Sequence, residues 1–514
     1  MKTVAPMDTY NQQLIEYVHP NNWIDPQPAA LYDLVVIGAG TAGLVVAAGA
    51  AGLGLGLKIA LIERNLMGGD CLNFGCVPSK TIIRSARTIG EIWRGSELGI
   101  RVDGVEIDFG AVMERMRRIR AQISHADSAT RFASLGVDVF LGDGKFTSQD
   151  TITVGDCRRQ TKGQRVLKFK KAVIATGARA AAPQIPGLAQ AGYLTNETVF
   201  SLTERPRRLA VIGGGPVGCE LAQTFQRLGC EVVLLQRGDR LLSKEDPEVA
   251  DVLQQILVKD GVKLILNCQL QQVSANETGK TISYTSNGRS DSITVDEILI
   301  GAGRTPNIES LNLTQVGVDY DAKGVIVNDY LQTTNPKIFA AGDVCMKWQF
   351  THAADAAARI VIKNTLFSPF GLGKSKLSSL VMPWVTYTDP EVAHVGLSAD
   401  EARQQGLKFN TIKVLLSTVD RAITDGETEG FVKVIHRQGS DEILGATIVS
   451  SHAGESISHI TSAMVNKIGL GKLSNVIQPY PTQADAIRKA ADAYRKTLLT
   501  PRNQKILGLL TKLS

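Results

Sequence analysis

Twice in this chain a short apolar run ends in a glycine cluster, passes into a helical stretch and returns as a second apolar run. The first copy reads Leu34-Val35-Val36-Ile37, then Gly38-Ala39-Gly40-Thr41-Ala42-Gly43, with a second strand over Lys58 to Glu63. The second reads Leu209-Ala210-Val211-Ile212, then Gly213-Gly214-Gly215-Pro216-Val217-Gly218, with a second strand over Glu231 to Leu235. Continuous apolar runs of this length fit parallel strands buried on both faces. One G-x-G-x-x-G is a weak signal. Two in strand–turn–helix–strand context predict an α/β chain with two Rossmann-like dinucleotide-binding units.

In such a unit the first glycine makes the tight turn, the second lets the backbone approach a pyrophosphate, and the third lets helix and strand pack closely. Free N–H groups and the dipole at the helix N-terminus then hold the diphosphate. Gly38, Gly40 and Gly43 fill these roles, and Glu63 ends the second strand where an acid binds ribose hydroxyls. That fits an ADP moiety without a 2′-phosphate, such as that of FAD. Gly213, Gly215 and Gly218 repeat the cradle, but here the second strand ends Leu234-Leu235-Gln236-Arg237-Gly238-Asp239-Arg240. A carboxylate at this point would repel a 2′-phosphate, whereas Arg237, with Arg240 nearby, attracts one through charge-assisted hydrogen bonds. The expected donor is NADPH. NADH is the alternative if Arg237 is merely exposed and selectivity is loose.

The 514 residues allow about three domains at roughly 150 residues each. From about Leu380 the texture changes to β-branched runs such as Phe431-Val432-Lys433-Val434-Ile435, followed by helices such as Ala484 to Leu499, which reads as a third, α+β domain. The formal charge of +6 is small and the basic residues are scattered, reading as solubility and not nucleic-acid binding. The arginines of Phe109 to Leu135 (Arg115, Arg117, Arg118, Arg120) read as a solvated helix face. Five of the seven cysteines (Cys157, Cys219, Cys230, Cys268, Cys345) lie alone, and read as small buried hydrophobes in a reducing, cytoplasmic compartment. The N-terminus has no apolar signal-peptide core. Nothing between Asp33 and Lys58 is charged, long enough to span a bilayer, but the glycine spacing fits a buried unit better. The basic, leucine-rich C-terminal tail reads as a frayed or packed helix, not a membrane contact, and no resident metal site is assigned.

The chemistry concentrates in Gly68-Gly69-Asp70-Cys71-Leu72-Asn73-Phe74-Gly75-Cys76-Val77-Pro78-Ser79-Lys80. A flavin passes two electrons from nicotinamide, and a dithiol is a two-electron store that can sit against the flavin ring. Four intervening residues suit a short helical turn that brings the sulfurs within bonding reach, and Lys80 supplies positive charge that lowers a thiol pKa. The bland alternative is two buried structural cysteines.

At this motif the sequence resembles the pyridine nucleotide-disulfide oxidoreductases with the active-site disulfide in the first domain, the family of dihydrolipoamide dehydrogenase, glutathione reductase and mercuric reductase. The resemblance runs from about Tyr32 to about Thr500 and includes Ala175-Thr176-Gly177, Gly301-Ala302-Gly303-Arg304-Thr305-Pro306-Asn307 and Ala340-Ala341-Gly342-Asp343. It implies that Cys76 faces the flavin and Cys71 meets substrate. It further implies that Lys80 lies near the flavin N5, paired with Glu220. Asp343 would bind the ribityl chain, Gly144, Thr176 and Gly177 would line FAD, Gly303 would lie at a cofactor site, and His352 would contact FAD through its backbone. The implied organisation is an extended arm (1–30), an FAD-binding domain in two parts (31–178 and 305–378), an NAD(P)-binding domain (179–304), a dimerisation domain (379–500) forming a homodimer, and a tail (501–514).

One departure carries chemical weight. Disulfide-reducing members place a His-Pro-Thr segment near the C-terminus, with a glutamate five residues after the histidine, and the partner subunit presents it as acid–base for the substrate-side thiol. Here the segment reads Gln478-Pro479-Tyr480-Pro481-Thr482-Gln483-Ala484-Asp485. A tyrosine with pKa about 10 is a poor base at neutral pH. Capturing a soft metal ion on two thiolates needs no such shuttle. Mercuric reductases likewise carry tyrosine at this position, which points to a mercuric reductase-like enzyme reducing Hg(II) or another small acceptor, with Tyr480 and Asp485 at the interface site. Such reductases also carry a C-terminal vicinal cysteine pair, whereas the last cysteine here is Cys345. His452 and His459 read as surface or interface residues. The rivals are a dihydrolipoamide dehydrogenase-like or other disulfide reductase, and a low-turnover redox-sensing flavoprotein.

Overall fold

A computed structural model describes residues 4–513 except 156–164 and 182. The expected burial of Cys157 falls outside the described residues. The chain opens with a helix, Thr9–Val18 (α1), which corrects the expected extended arm. Asp8 caps it by accepting from Asn11 N at 2.9 Å, and Asn11, Leu14 and Val18 are fully buried. The polar composition concealed this helix because its buried stripe is narrow and one member is an asparagine.

Tyr32–Ile37 (β1), Thr41–Ala51 (α2), Ile59–Glu63 (β2), Gly69–Asn73 (α3), Cys76–Arg94 (α4), Phe109–Ser124 (α5) and Val137–Leu141 (β3) follow. The strands lie parallel in the order β3-β2-β1, and the strand Arg165–Ile174 takes the other side of β1. Ile338–Ala340, far along the chain, pairs parallel with the end of Arg165–Ile174 and completes this sheet. The uncharged stretch after Asp33 is therefore β1, α2 and their connections. Among the described residues no helix is long and apolar enough to cross a membrane.

The second unit is a parallel sheet of Lys263–Ile265, Glu231–Leu235, Arg208–Ile212 and Glu297–Ile300, with an antiparallel meander inserted before its last strand. The C-terminal part is a five-stranded antiparallel sheet packed by helices Ala453–Val465 and Asp485–Thr497, the α+β texture expected. The helix Pro501–Leu510 buries none of its residues. Cys219, Cys230 and Cys268 are buried and Cys345 half-buried, in line with their reading as packing residues.

The arginine-rich helix α5 departs from expectation. Arg118 is exposed, but Arg117 and Arg120 are buried, at 6% and 1% exposure. Arg117 pairs with Asp8 at 2.5 Å, so the N-terminal segment supplies the counter-charge that this helix face requires.

Candidate active site

The two cysteines meet where two helices abut. Cys71 lies in the single turn α3, which ends at Asn73. The chain breaks at Phe74 and Gly75, and Cys76 opens the 19-residue helix α4. Both are free thiols, and both line one cavity of about 1540 Å³. The mutual influence of the two neighbouring thiols moves their acidities apart. It lowers the Cys76 pKa to about 6, against the cost of burial, with help from Thr351 and the Lys80 charge. The Cys71 thiol is pushed up by the neighbouring Cys76 and by burial. The Cys76 sulfur lies 3.2 Å from the Thr351 hydroxyl, and its place at the first position of a long helix further favours the thiolate.

Lys80, one turn along α4, reaches across to the second nucleotide unit. Its Nζ donates to Glu220 Oε2 at 2.8 Å, a contact between residues 140 apart in sequence. The other Glu220 oxygen accepts from Tyr387 N at 2.9 Å, and the Lys80 ammonium lies 4.5 Å from the Tyr387 ring centroid. Burial works against the ammonium, but Glu220 outweighs it and raises the Lys80 pKa. A fixed positive charge thus stands beside the Cys76 sulfur. Thr351 and Tyr387 were not singled out in the sequence. Neither belongs to a motif, and each acts through a contact made only by the fold.

The first glycine cradle fits the ADP half of FAD. A Cβ on Gly38 would lie 2.4 Å from Ala175 O and one on Gly43 1.8 Å from Gly38 O, so strand and helix touch backbone to backbone. A Cβ on Gly40 would meet only Gly69 Cα, at 3.7 Å, leaving room at the helix N-terminus. Glu63 is buried, with one carboxylate oxygen accepting from Ala39 N at 2.7 Å and the other from Asn65 N at 2.7 Å. Gly144, Thr176, Gly177, Gly303, Asp343 and His352 all line the same cavity. Asp343 pairs with Arg304 at 3.2 Å, and Arg304 reaches Asp70, beside Cys71, at 2.5 Å. Burial raises the Asp343 pKa although Arg304 opposes it.

The second cradle repeats the construction. A Cβ on Gly218 would lie 1.8 Å from Gly213 O, while one on Gly215 would meet nothing within 4 Å. Gln236 takes the place Glu63 has in the first unit, its Oε1 accepting from Gly214 N at 2.9 Å. The acid is thus replaced by a neutral amide. Arg237 is exposed and off the cavity wall, whereas Arg240 lines the cavity.

Tyr480 and Asp485 do not line the cavity of their own chain. Tyr480 is 73% exposed, donates its hydroxyl to Asp420 at 3.0 Å, and has its pKa raised by that bond. Asp485 is buried and accepts from Arg488 Nε at 2.7 Å. His452 and His459 are exposed. Among the described residues no cluster of His, Cys, Asp or Glu could hold a metal ion.

Two dinucleotide cradles opening onto one thiol pair define a nucleotide-dependent dithiol oxidoreductase. Residues 32–358 match the pyridine nucleotide-disulphide oxidoreductases and residues 382–491 match the dimerisation domain of the same family, to which this chain belongs. The family is FAD-dependent, with NAD(P)H as electron donor. The chain is 36% identical to the mercuric reductase of Staphylococcus aureus, over 90% of this chain and 83% of that one. It is 33% identical to the dihydrolipoyl dehydrogenase of Chlamydia muridarum (strain MoPn / Nigg), over 90% and 96% respectively. A Cu(II) complex of the HOCl-induced flavoprotein disulfide reductase RclA from Escherichia coli is similar in structure, with a TM-score of 0.79 and 26% identity over 90% of this chain and 100% of that one.

Proposed function

We propose that this chain is an NADPH-dependent flavoprotein oxidoreductase that reduces a soft metal ion of the Hg(II) class through Cys71 and Cys76. FAD, when bound, would carry two electrons from the nicotinamide to the disulfide. The chain's own residues do the rest. Gly38, Gly40, Gly43 and Glu63 would hold the ADP half, and Thr176, Gly177 and Asp343 the remainder of the cofactor. Lys80, fixed by Glu220, supports negative charge at Cys76. Gly213, Gly215, Gly218 and Arg240 would take the 2′-phosphorylated donor, with Arg237 exposed on the same strand-end loop. The net reaction oxidises NADPH to NADP⁺, releases one proton and reduces M(II) to M(0).

The observation that carries the metal reading is Tyr480. Its hydroxyl is hydrogen-bonded to Asp420 and its acidity is weakened further, so it cannot serve the proton shuttling a disulfide substrate needs. Two thiolates capture a soft cation without that shuttle. The names of the mercuric reductase relatives agree with this choice. A homodimer, with Tyr480 facing the partner's thiols and the buried Asp485 supporting it from within its own chain, accounts for the exposure of Tyr480 and of Ile477, which is 94% exposed. We place the enzyme in the cytoplasm, where the thiols stay reduced.

The test is steady-state oxidation of NADPH and NADH with Hg(II), Cu(II), lipoamide, oxidised glutathione and quinones. Consumption with a soft metal ion, and preference for NADPH, is expected. Turnover with lipoamide and NADH instead would overturn the assignment, and no turnover beyond slow oxygen reduction would favour a redox sensor.

A further inference from the structure

The N-terminal segment before residue 32 lies outside the family-matched region, yet it grips the segment that carries Cys71 at three points. The His19 ring nitrogen Nδ1 meets Asn65 O. Val18 O accepts from Met67 N at 3.1 Å. The third tie is relayed: Asn11 Oδ1 accepts from one guanidinium nitrogen of Arg120 at 2.7 Å, and the other donates to Asn73 O at 2.7 Å. Asn73 itself folds the segment inward, its amide nitrogen donating to Met67 O at 3.0 Å and Gly69 O at 2.9 Å.

These contacts are dry. Asn11 and Asn73 are 0% exposed and Arg120 is 1% exposed. Among the described residues no carboxylate bonds directly to Arg120, and its neutral acceptors are the Asn11 amide and the Asn73 carbonyl. A buried guanidinium without a bonded carboxylate is expensive to keep, so its geometry is strongly held. Asn73 lies between the two cysteines, at the end of the turn bearing Cys71, where a helix leaves its carbonyls without internal partners. Fixing that carbonyl fixes how far Cys71 can move toward Cys76. Closing the disulfide draws the two free thiols together, to an S–S separation of about 2.05 Å.

We propose that α1 is a clamp on the redox turn, with Asn11 and Arg120 as positioning residues that set the balance between the Cys71–Cys76 dithiol and its disulfide. The clamp rests on the redox role given to this pair above, but not on the identity of the acceptor. In the exchange used to test it, one glutathione disulfide is reduced to two glutathiones. The Cys71–Cys76 bond forms as the glutathione bond breaks; at neutral pH one proton passes to glutathione from Cys71 and, because Cys76 is already ionised, the other comes from solvent.

The flavin-loaded wild type and the Asn11→Ala, Asn11→Asp, His19→Phe and Trp23→Phe variants are equilibrated across glutathione redox mixtures. Free thiols are then trapped by alkylation and the dithiol fraction is read by mass spectrometry. Asn11→Ala should shift the equilibrium constant about three- to tenfold, a fraction of what a hydrogen bond to a charged group is worth. Asn11→Asp keeps the acceptor facing Arg120 but loses the donor to Pro6 O, and should shift the constant less than Asn11→Ala. Trp23→Phe loses a 3.1 Å bond to Val139 O from the same segment while keeping an aromatic ring on the shared apolar cluster, and should leave the constant unchanged. If Asn11→Ala does not fold, His19→Phe decides alone, with a shift expected. An unchanged constant in both variants, or an equal shift in Trp23→Phe, would reduce α1 to a stability element and overturn the clamp. A wild type that forms no Cys71–Cys76 disulfide in any mixture would instead sink the redox role of the pair.

Discussion

At the scale of single residues, the thiol pair works because its two sulfurs are unequal. The two neighbouring thiols push one another's acidities in opposite directions, and Thr351 and Lys80 favour the Cys76 thiolate. The reduced protein should therefore carry one reactive thiolate at neutral pH, on Cys76, and its alkylation rate should fall as pH drops through about 6. The sign follows from the lowered pKa: the thiolate is present above that value and lost below it. Thr351→Val and Lys80→Met should each move the inflection upward, toward the ordinary thiol range, as read by thiolate ultraviolet absorbance and by the alkylation rate. An inflection unmoved in both variants would show that Cys71 and the helix terminus suffice. The cysteines and Lys80 were legible in the sequence because they share one short motif. Thr351 was not, since it reaches Cys76 from 275 residues away.

At the scale of elements, the two nucleotide units test each other. In both, the third glycine of the fingerprint presses against the carbonyl of the first, at the same 1.8 Å separation for an added Cβ. Neither helix can tolerate alanine there without moving off its strand, and overpacking of this kind costs about 1–3 kcal/mol. Gly43→Ala should purify with its flavin absorbance largely lost. Gly218→Ala should keep its flavin but show a rise in KM for NADPH of about tenfold or more. If Gly218→Ala lost flavin as well, the two cradles would not be independent. Both units could be read from sequence because glycine's role there is local, set within a few residues by the turn and the helix contact. Helix α1 could not. Its buried face includes Asn11, whose burial depends on Arg120, 109 residues away on a helix that composition alone marks as solvated.

At the scale of the whole molecule, the site exists only while three parts of the chain stay docked, and buried ion pairs do much of the docking. Arg227, on the helix that follows the second glycine cluster, is 4% exposed and pairs with Asp260 at 2.8 Å and with Asp389 of the C-terminal region at 2.7 Å. Arg87 of α4 pairs with Glu391 at 2.7 Å, joining the redox helix to the same region. Nothing in the local sequence around Arg227 announces partners 33 and 162 residues away, so this layer was illegible before the fold was known. Removing Arg227 leaves Asp260 and Asp389 buried without their main counter-charge, with Arg94 3.9 Å from Asp389 and Gln223 bonded to Asp260. Arg227→Met should cost about 3–5 kcal/mol, seen as a fall in Tm. Its pH dependence identifies the cause. Burial pushes the Asp389 pKa up, but Arg227, aided by Arg94 and Arg87, pulls it below its usual value. The wild type therefore holds this stabilisation above about pH 4 and loses it as pH falls further. Without Arg227 the burial effect gains on the remaining arginines, so the acid-side loss of Tm should shrink in the variant. A Tm deficit that stays constant across the acid range would mean that Arg227 acts through packing alone, and that the docking of the C-terminal region beside Lys80 and Glu220 does not depend on this charge network.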